Sequence, residues 1–90
     1  MTDREAERHI VGYLSRLPGW ARFEPARRAS LGLLKGHVLD SVSLLEFTTF
    51  LEELCGIEIP ADDITEENFD SIEAVVRYLR GRGQVVEEAG

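Results

Sequence analysis

Residues 36–47 of this 90-residue chain read Gly36-His37-Val38-Leu39-Asp40-Ser41-Val42-Ser43-Leu44-Leu45-Glu46-Phe47. Asp40 is a good residue for the N-cap of a helix, and Gly56 is suited to the left-handed conformation that often ends one. Between them the pattern predicts a helix over residues 41–55, with Ser41 in its first turn. Its buried side follows the i, i+3, i+4, i+7 spacing of an amphipathic helix, with Leu44, Phe47, Thr48, Leu51, Leu54 and Cys55 on one face.

Two serines near the start of this helix are candidates for a modified or ligand-binding side chain. A first-turn residue such as Ser41 lies beside backbone N–H groups that have no partner within the helix, at the positive end of the helix dipole. A phosphate ester on Ser41 would therefore lie in a favourable field. Ser43 is the alternative, because Ser43-x-x-Glu46 would form a capping box if the helix began later.

The rest of the chain predicts an all-α fold, a small helical bundle with three main helices and one short helix. The first helix is expected over about residues 3–17, capped by Thr2 or Asp3 and stopped by Pro18-Gly19. Apolar residues show no sustained helical or strand period over residues 20–38, which predicts a long connection. We expect Phe23, and Leu31 or Leu34, to attach it to the core.

The C-terminal third predicts the short helix and the third main helix. Thr65-Glu66-Glu67-Asn68 has the pattern of a capped short helix. Asp70-Ser71-Ile72-Glu73 begins the last helix, which Gly81 or Gly83 ends. Its apolar stripe has helical spacing and comprises Ile72, Val75, Val76 and Leu79. We expect one domain over residues 1–82 and a flexible tail over residues 83–90.

Composition narrows the classes of protein and of partner. A hydrophobic content of 43% and a charged content of 30% fit a folded globular protein. No apolar run is long enough to span a membrane and the N-terminus is not a signal peptide, so we expect a cytoplasmic protein without a membrane partner. The lone Cys55 predicts no internal disulfide and a small buried side chain. Two isolated histidines, His9 and His37, give no metal site.

The charge of the chain is distributed unevenly. The formal net charge is −7, which makes nucleic acid an unexpected partner because phosphate binding needs a basic surface. Residues 36–76 contain many acidic residues but no lysine or arginine. A field of one sign around Ser41 would attract basic partners and would weaken as salt is added.

The sequence resembles the acyl carrier protein family. Asp40-Ser41-Val42, followed by Leu45-Glu46-Phe47 and Leu51-Glu52-Glu53-Leu54, is similar to the Asp-Ser-Leu region of that family. The resemblance continues through Gly56-Ile57-Glu58-Ile59-Pro60 and Asn68-Phe69-Asp70-Ser71-Ile72-Glu73-Ala74-Val75, so that it covers residues 36–79. It implies an acyl-carrier-like bundle in which Ser41, rather than Ser43, is modified, because Ser43 lacks the preceding acid of the family pattern.

The resemblance also implies a cofactor and roles for residues near Ser41. The Ser41 hydroxyl would receive 4'-phosphopantetheine from coenzyme A, and the thiol of this arm would carry acyl or aminoacyl groups as thioesters. Asp40 and Val42 would flank the attachment point, and Asp40 would also meet the phosphopantetheinyl transferase. For Val42 and Leu45, core packing is an alternative that the sequence leaves open. The remaining partner-contacting residues would be Leu45, Glu46, Glu52, Glu53 and Ile59, with Ile59 and Ile64 near the arm and its cargo.

The function implied is that of a free-standing monomeric carrier, which is not itself an enzyme. The residues contain no set of nucleophile, base and orienting group, so the chemistry would belong to the attached thiol. The expected partners are a phosphopantetheinyl transferase, a ligase or transferase that loads the cargo, and downstream enzymes. The pathway would be a specialised one that makes a polyketide, a nonribosomal-peptide-like or a fatty-acyl product. The alternative from another class is an acidic helical interaction module without a prosthetic arm.

Overall fold

The computed structural model describes residues 1–22, 32–36 and 38–86, and most of these residues are helical. Within these ranges there is no β-strand, and no helix is long and apolar enough to cross a bilayer. This confirms the predicted all-α class with three main helices and one short one. The helices are α1 (Asp3–Leu14), α2 (Ser41–Cys55), α3 (Glu66–Phe69) and α4 (Ile72–Gly81), with short 3₁₀ turns at Pro18–Arg22 and Ala61–Asp63.

The first helix begins as predicted but ends earlier. Thr2 and Glu5 form a capping box, in which each side chain accepts a hydrogen bond from the other residue's backbone N–H. The helix ends at Leu14 rather than near Leu17, and the Leu17 N–H donates to the Leu14 carbonyl at 3.0 Å. This tighter three-residue spacing follows because Pro18 disfavours the α conformation in the residue before it.

The other helices have the predicted local signals at their ends. Helix α2 spans the predicted range, and Gly56 after it has a φ of 67°, the left-handed conformation expected of a helix-ending glycine. The side chain of Thr65 accepts a hydrogen bond from the Asn68 N–H at the start of α3. Ser71 caps α4 in the same way, with the Ala74 N–H as donor.

Aromatic contacts join the helices around the fully buried side chain of Phe47 on α2. The ring of Tyr13, on α1, lies 5.5 Å from the Phe47 ring between centroids. The ring of Phe69, on α3, meets Phe47 edge-on at 6.4 Å, a favoured geometry for aromatic pairs. Helix α4 packs against both α1 and α3, so that all four helices share one core.

The connection before α2 is attached to the core by the predicted Leu34 and, more deeply, by three residues that were not predicted. Phe23 and Leu31 lie outside the described residues, and Leu34 is only half-buried. Leu34 nevertheless packs against the core. Leu33 is fully buried, and Val38 and Leu39 are 5% and 2% exposed. The described parts of this connection therefore pack closely against the bundle just before Ser41.

The C-terminal residues 84–86 are fastened to the N-terminus. The Val86 N–H donates to the Met1 carbonyl at 3.0 Å, and the Asp3 N–H donates to the Val86 carbonyl at 3.2 Å. Val85 between them is 2% exposed. The prediction of a flexible tail from residue 83 is therefore wrong for residues 84–86, because backbone pairing and burial of Val85 hold them. Residues 87–90 lie outside the described residues.

This attachment predicts opposite results for two adjacent valines. Val85→Ala should lower the free energy of unfolding by about 2 kcal/mol, because it removes buried apolar surface. Val86→Ala is the matched control: its side chain is 61% exposed, and we expect a change within about 0.5 kcal/mol. Urea denaturation of both variants measures the difference. Equal effects would mean that residues 84–86 do not pack against the bundle.

Candidate functional site

Ser41 is the first residue of α2, and its side chain is exposed. The helix is capped without it: the Asp40 carboxylate accepts a hydrogen bond from the Ser43 N–H at 2.9 Å, and the Ser43 hydroxyl oxygen accepts one from the Asp40 N–H at 2.8 Å. Ser43 is thus the partner of Asp40 in a capping box and does not cap a later helix with Glu46. Within the described residues the Ser41 hydroxyl has no hydrogen-bond partner, so it is available for reaction.

The carboxylate before Ser41 is held in its charged form. Two hydrogen bonds to the Asp40 carboxylate lower its pKa below the ordinary value of 3.8. The larger effect comes from the Ser43 N–H and the smaller from the Ser43 hydroxyl. Hydrogen bonds to a carboxylate favour ionisation because they stabilise the charged form. Asp40 therefore carries a full negative charge beside Ser41 at neutral pH.

An exposed apolar pair follows Ser41 on α2. Val42 is 66% exposed and Leu45 is 59% exposed, which excludes the core-packing alternative for both. Residues three apart are neighbours on a helix surface, so the two side chains form one small apolar patch. Glu46 and Glu53 are also exposed on α2, and neither carboxylate has an ion-pair partner within the described residues.

Two of the predicted partner-contacting residues have structural roles instead. Glu52 is half-buried, and its carboxylate accepts a hydrogen bond from the Ile59 N–H at 2.8 Å, which holds the chain that leaves α2. Ile59 is 7% exposed and packs in the core, which leaves little of its side chain for the predicted partner contact. Its alternation with the exposed Glu58 and Pro60 directs its apolar side chain inward. Ile64 is partly buried against the same core.

A groove of about 450 Å³ lies between α1 and α2, and the acidic surface of α2 faces basic side chains across it. Its floor includes Tyr13 and Phe50, whose rings stack with centroids 4.6 Å apart. Arg8 and Arg16 line its α1 side, while the α2 side carries the two exposed glutamates. Sequence analysis did not identify this basic edge. The signal was the four-residue spacing of Arg8, Gly12 and Arg16, which places Arg8 and Gly12 on one face of α1 and Arg16 just beyond its end.

Other carboxylates of the acidic segment are paired with cations from outside it. Lys35 lies 3.0 Å from Glu66 and 3.8 Å from Asp70. Arg82 lies 3.8 Å from Asp63, whose carboxylate also accepts a hydrogen bond from the Tyr78 hydroxyl at 2.7 Å. Within the described residues, Glu46 and Glu53 on α2 therefore differ from these three carboxylates in having no cation paired with them.

The Cys55 thiol has little reactivity expected of it, and His37 lies outside the described residues. Cys55 is partly rather than fully buried, and burial raises the pKa of its thiol. A raised pKa leaves little of the nucleophilic thiolate at neutral pH. No group of three or more histidine, cysteine, aspartate or glutamate side chains in the described ranges is arranged to hold a metal ion.

Comparison of the chain with protein-family models, with curated proteins and with solved structures gave no match. The function of the chain is therefore inferred from its own residues. The structure brings together a free hydroxyl at Ser41, an ionised carboxylate before it and an exposed apolar pair after it.

The two serines at this site should differ in their effect on stability. Ser43→Ala should lower the free energy of unfolding by about 1 kcal/mol, because the capping box loses its second side chain. Ser41→Ala should change it by less than about 0.5 kcal/mol, since the hydroxyl makes no hydrogen bond within the described residues. Thermal and urea denaturation of both variants test this. A larger loss for Ser41→Ala would show that its hydroxyl has a structural partner.

The lowered pKa of Asp40 predicts a stability difference that depends on pH. A carboxyl group whose pKa is depressed by folding stabilises the protein fully above its ordinary pKa, and this contribution is lost as the pH falls through the folded-state value. Asp40→Asn keeps an oxygen that can cap α2 but does not titrate. The advantage of the wild type over Asp40→Asn should therefore shrink below about pH 4. Urea denaturation from pH 7 to about pH 3 measures it, and a constant difference would contradict the prediction.

Proposed function

We propose that this chain is a free-standing carrier protein in which Ser41 receives 4'-phosphopantetheine from coenzyme A. The observation that carries the proposal is the exposed Ser41 hydroxyl, which is free because Asp40 and Ser43 cap α2 without it. The resemblance of residues 36–79 to the acyl carrier protein family supports the same assignment. The thiol of the arm would carry acyl or aminoacyl groups as thioesters between separate enzymes.

The residues around Ser41 suit this attachment. Its hydroxyl oxygen would form the new phosphoester bond while the nucleotide part of coenzyme A leaves. The first turn of α2 would stabilise the resulting negative charge, because the helix dipole has its positive end there. Asp40 would remain ionised and fix the start of the helix. No other side chain of the carrier needs to act in the transfer, which is the task of the phosphopantetheinyl transferase.

The exposed side of α2 is proposed as the surface that partner enzymes bind. Val42 and Leu45 would lose contact with water on binding, a gain of about 0.8 kcal/mol for each methylene that is buried. Glu46 and Glu53 would attract a basic partner and orient it. Glu52 is not included, because its carboxylate already binds the Ile59 N–H. The partners would be the transferase, a loading ligase or transferase, and downstream enzymes of a specialised pathway.

The second candidate function is that of an acidic helical interaction module without a prosthetic arm. The exposure of Val42 and Leu45 favours it equally, because an apolar patch beside acidic residues suits binding to a basic protein surface. The two functions differ in what they require of Ser41. A carrier needs its hydroxyl, whereas a docking module needs only the surface around it.

Intact-protein mass spectrometry separates the two functions. The protein is incubated with coenzyme A, magnesium and a broad-specificity phosphopantetheinyl transferase. We expect the wild type to gain one phosphopantetheine and Ser41→Ala to gain none. Ser43→Ala is the matched control: it lies two residues away, weakens the same helix start and should still be modified.

The opposite result would be equally informative. If circular dichroism shows a folded protein and no variant gains mass, the carrier function fails and the docking module becomes the better account. A gain that persists in Ser41→Ala and disappears in Ser43→Ala would move the attachment to Ser43.

A further inference from the structure

Asp70, between α3 and α4, holds the turn that precedes the proposed attachment site. The backbone N–H groups of Leu34 and Lys35 donate to the same carboxylate oxygen of Asp70, at 3.0 and 3.2 Å. The Leu33 N–H donates to the Asp70 backbone carbonyl. Three successive N–H groups thus converge on one residue that lies 36 positions from Leu34 in the sequence.

The same turn is connected directly to the start of α2. The Leu33 carbonyl accepts hydrogen bonds from the Val38 N–H at 2.9 Å and from the Leu39 N–H at 3.0 Å. All three side chains are buried, and Leu39 is the residue before the N-cap Asp40. Hydrogen bonds therefore lead without a break from Asp70 through Leu33 to the residue that precedes the cap.

The turn lies against Asp70 with little free space. A Cβ atom added to Gly32 would lie 3.4 Å from the Asp70 carboxylate and 3.2 Å from the Lys35 Cβ. Charge pairing contributes less to this contact, because the Lys35 side chain is 73% exposed and lies 3.8 Å from Asp70. Exposed ion pairs are weak, whereas hydrogen bonds to a carboxylate are stronger than those between neutral groups.

The start of α2 needs such support. The nearest fully buried side chain on the helix is Phe47, six residues and about 9 Å along the axis from Ser41. The capping box fixes the local conformation of the first turn, but it makes no contact outside residues 40–43. Leu44 packs against the core but is only partly buried, so the position of that turn relative to the bundle also depends on the segment before it.

We propose that Asp70 is a positioning residue for Ser41: by holding the turn of residues 33–35, it sets where the Ser41 hydroxyl lies relative to the rest of the carrier. This inference rests on the proposed modification of Ser41. A transferase that binds the exposed side of α2 must meet the hydroxyl at a fixed place. Small displacements of a reacting group lower a rate strongly.

Steady-state kinetics of the transferase reaction, with the carrier as the varied substrate, tests the role. Asp70→Ala should lower kcat about tenfold or more with little change in KM, because the binding surface of α2 remains while the hydroxyl is misplaced. Asp70→Asn keeps an acceptor oxygen at the same place, so it should restore most of the rate. Asp70→Glu keeps the charge but displaces the oxygens, so it should remain slow and provides a second variant if Asp70→Ala is unfolded.

Asp63→Ala is the matched control. Like Asp70, Asp63 is a partly buried carboxylate that accepts a hydrogen bond and lies beside a cation, but its partners are Tyr78 and Arg82 rather than residues 33–35. This substitution should lower stability without changing kcat. Hydrogen exchange adds a readout that is independent of the transferase: the Val38 and Leu39 amides should exchange faster in Asp70→Ala and unchanged in Asp63→Ala.

The outcomes separate this inference from the proposed function. If the wild type is modified and Asp70→Ala has the same kcat, the positioning role is overturned while the carrier function stands. A loss of rate in Asp63→Ala equal to that in Asp70→Ala would also overturn it, because general destabilisation would then explain both. If the wild type is not modified at all, both the carrier function and the role of Asp70 in it fail.

Discussion

The burial of Phe47 is the constraint on which the arrangement of this protein depends. Its ring meets Tyr13 of α1 and Phe69 of α3, and together with the buried Thr48 and Leu51 it determines the rotation of α2 about its own axis. A helix repeats every 3.6 residues, and an inward Phe47 therefore directs Val42 and Leu45 outward. The exposed apolar patch near Ser41 is a consequence of core packing on the opposite side of the helix.

At the start of α2, the residues that stabilise the helix are different from the residue that is available for reaction. Asp40 and Ser43 provide the hydrogen bonds that begin the helix, and Ser41 between them contributes none within the described residues. A covalent group on Ser41 would thus disturb no contact that holds the fold together. The support that remains comes from farther away, through the turn that Asp70 holds.

Two sets of acidic residues in the central segment differ in whether a cation is paired with them. Asp63, Glu66 and Asp70 pair with Arg82 or Lys35, so they fasten loops and helix ends to one another. Glu46 and Glu53 have no such partner in the described part of the chain and remain on the surface of α2. The basic edge of α1, across the groove, marks where this negative surface ends. A run of acidic residues in the sequence therefore does not produce a uniform electrostatic field on the surface.

Local features of the structure could be predicted from the sequence because their causes lie within a few residues. The bounds of α2 follow from Asp40, Gly56 and the helical period between them, and Thr65 and Ser71 begin their helices for the same reason. Ser41 could be singled out in this way as a first-turn residue. The pairing of Asp40 with Ser43 was not predicted, because Ser43 was also compatible with a capping box to Glu46 in a helix that begins later.

Tertiary structure decided what depends on distant partners. Val42 and Leu45 could have been core or surface until Phe47 set the rotation of α2, because apolar residues occur in both places. The Glu52 carboxylate accepts a hydrogen bond from the Ile59 N–H, and the Leu33 N–H donates one to the Asp70 carbonyl. The sequence by itself determined where the helices begin and which serine stands at the start of α2. Only the packed chain decided which side chains stay exposed around that serine, because burial is a property of contacts between distant segments.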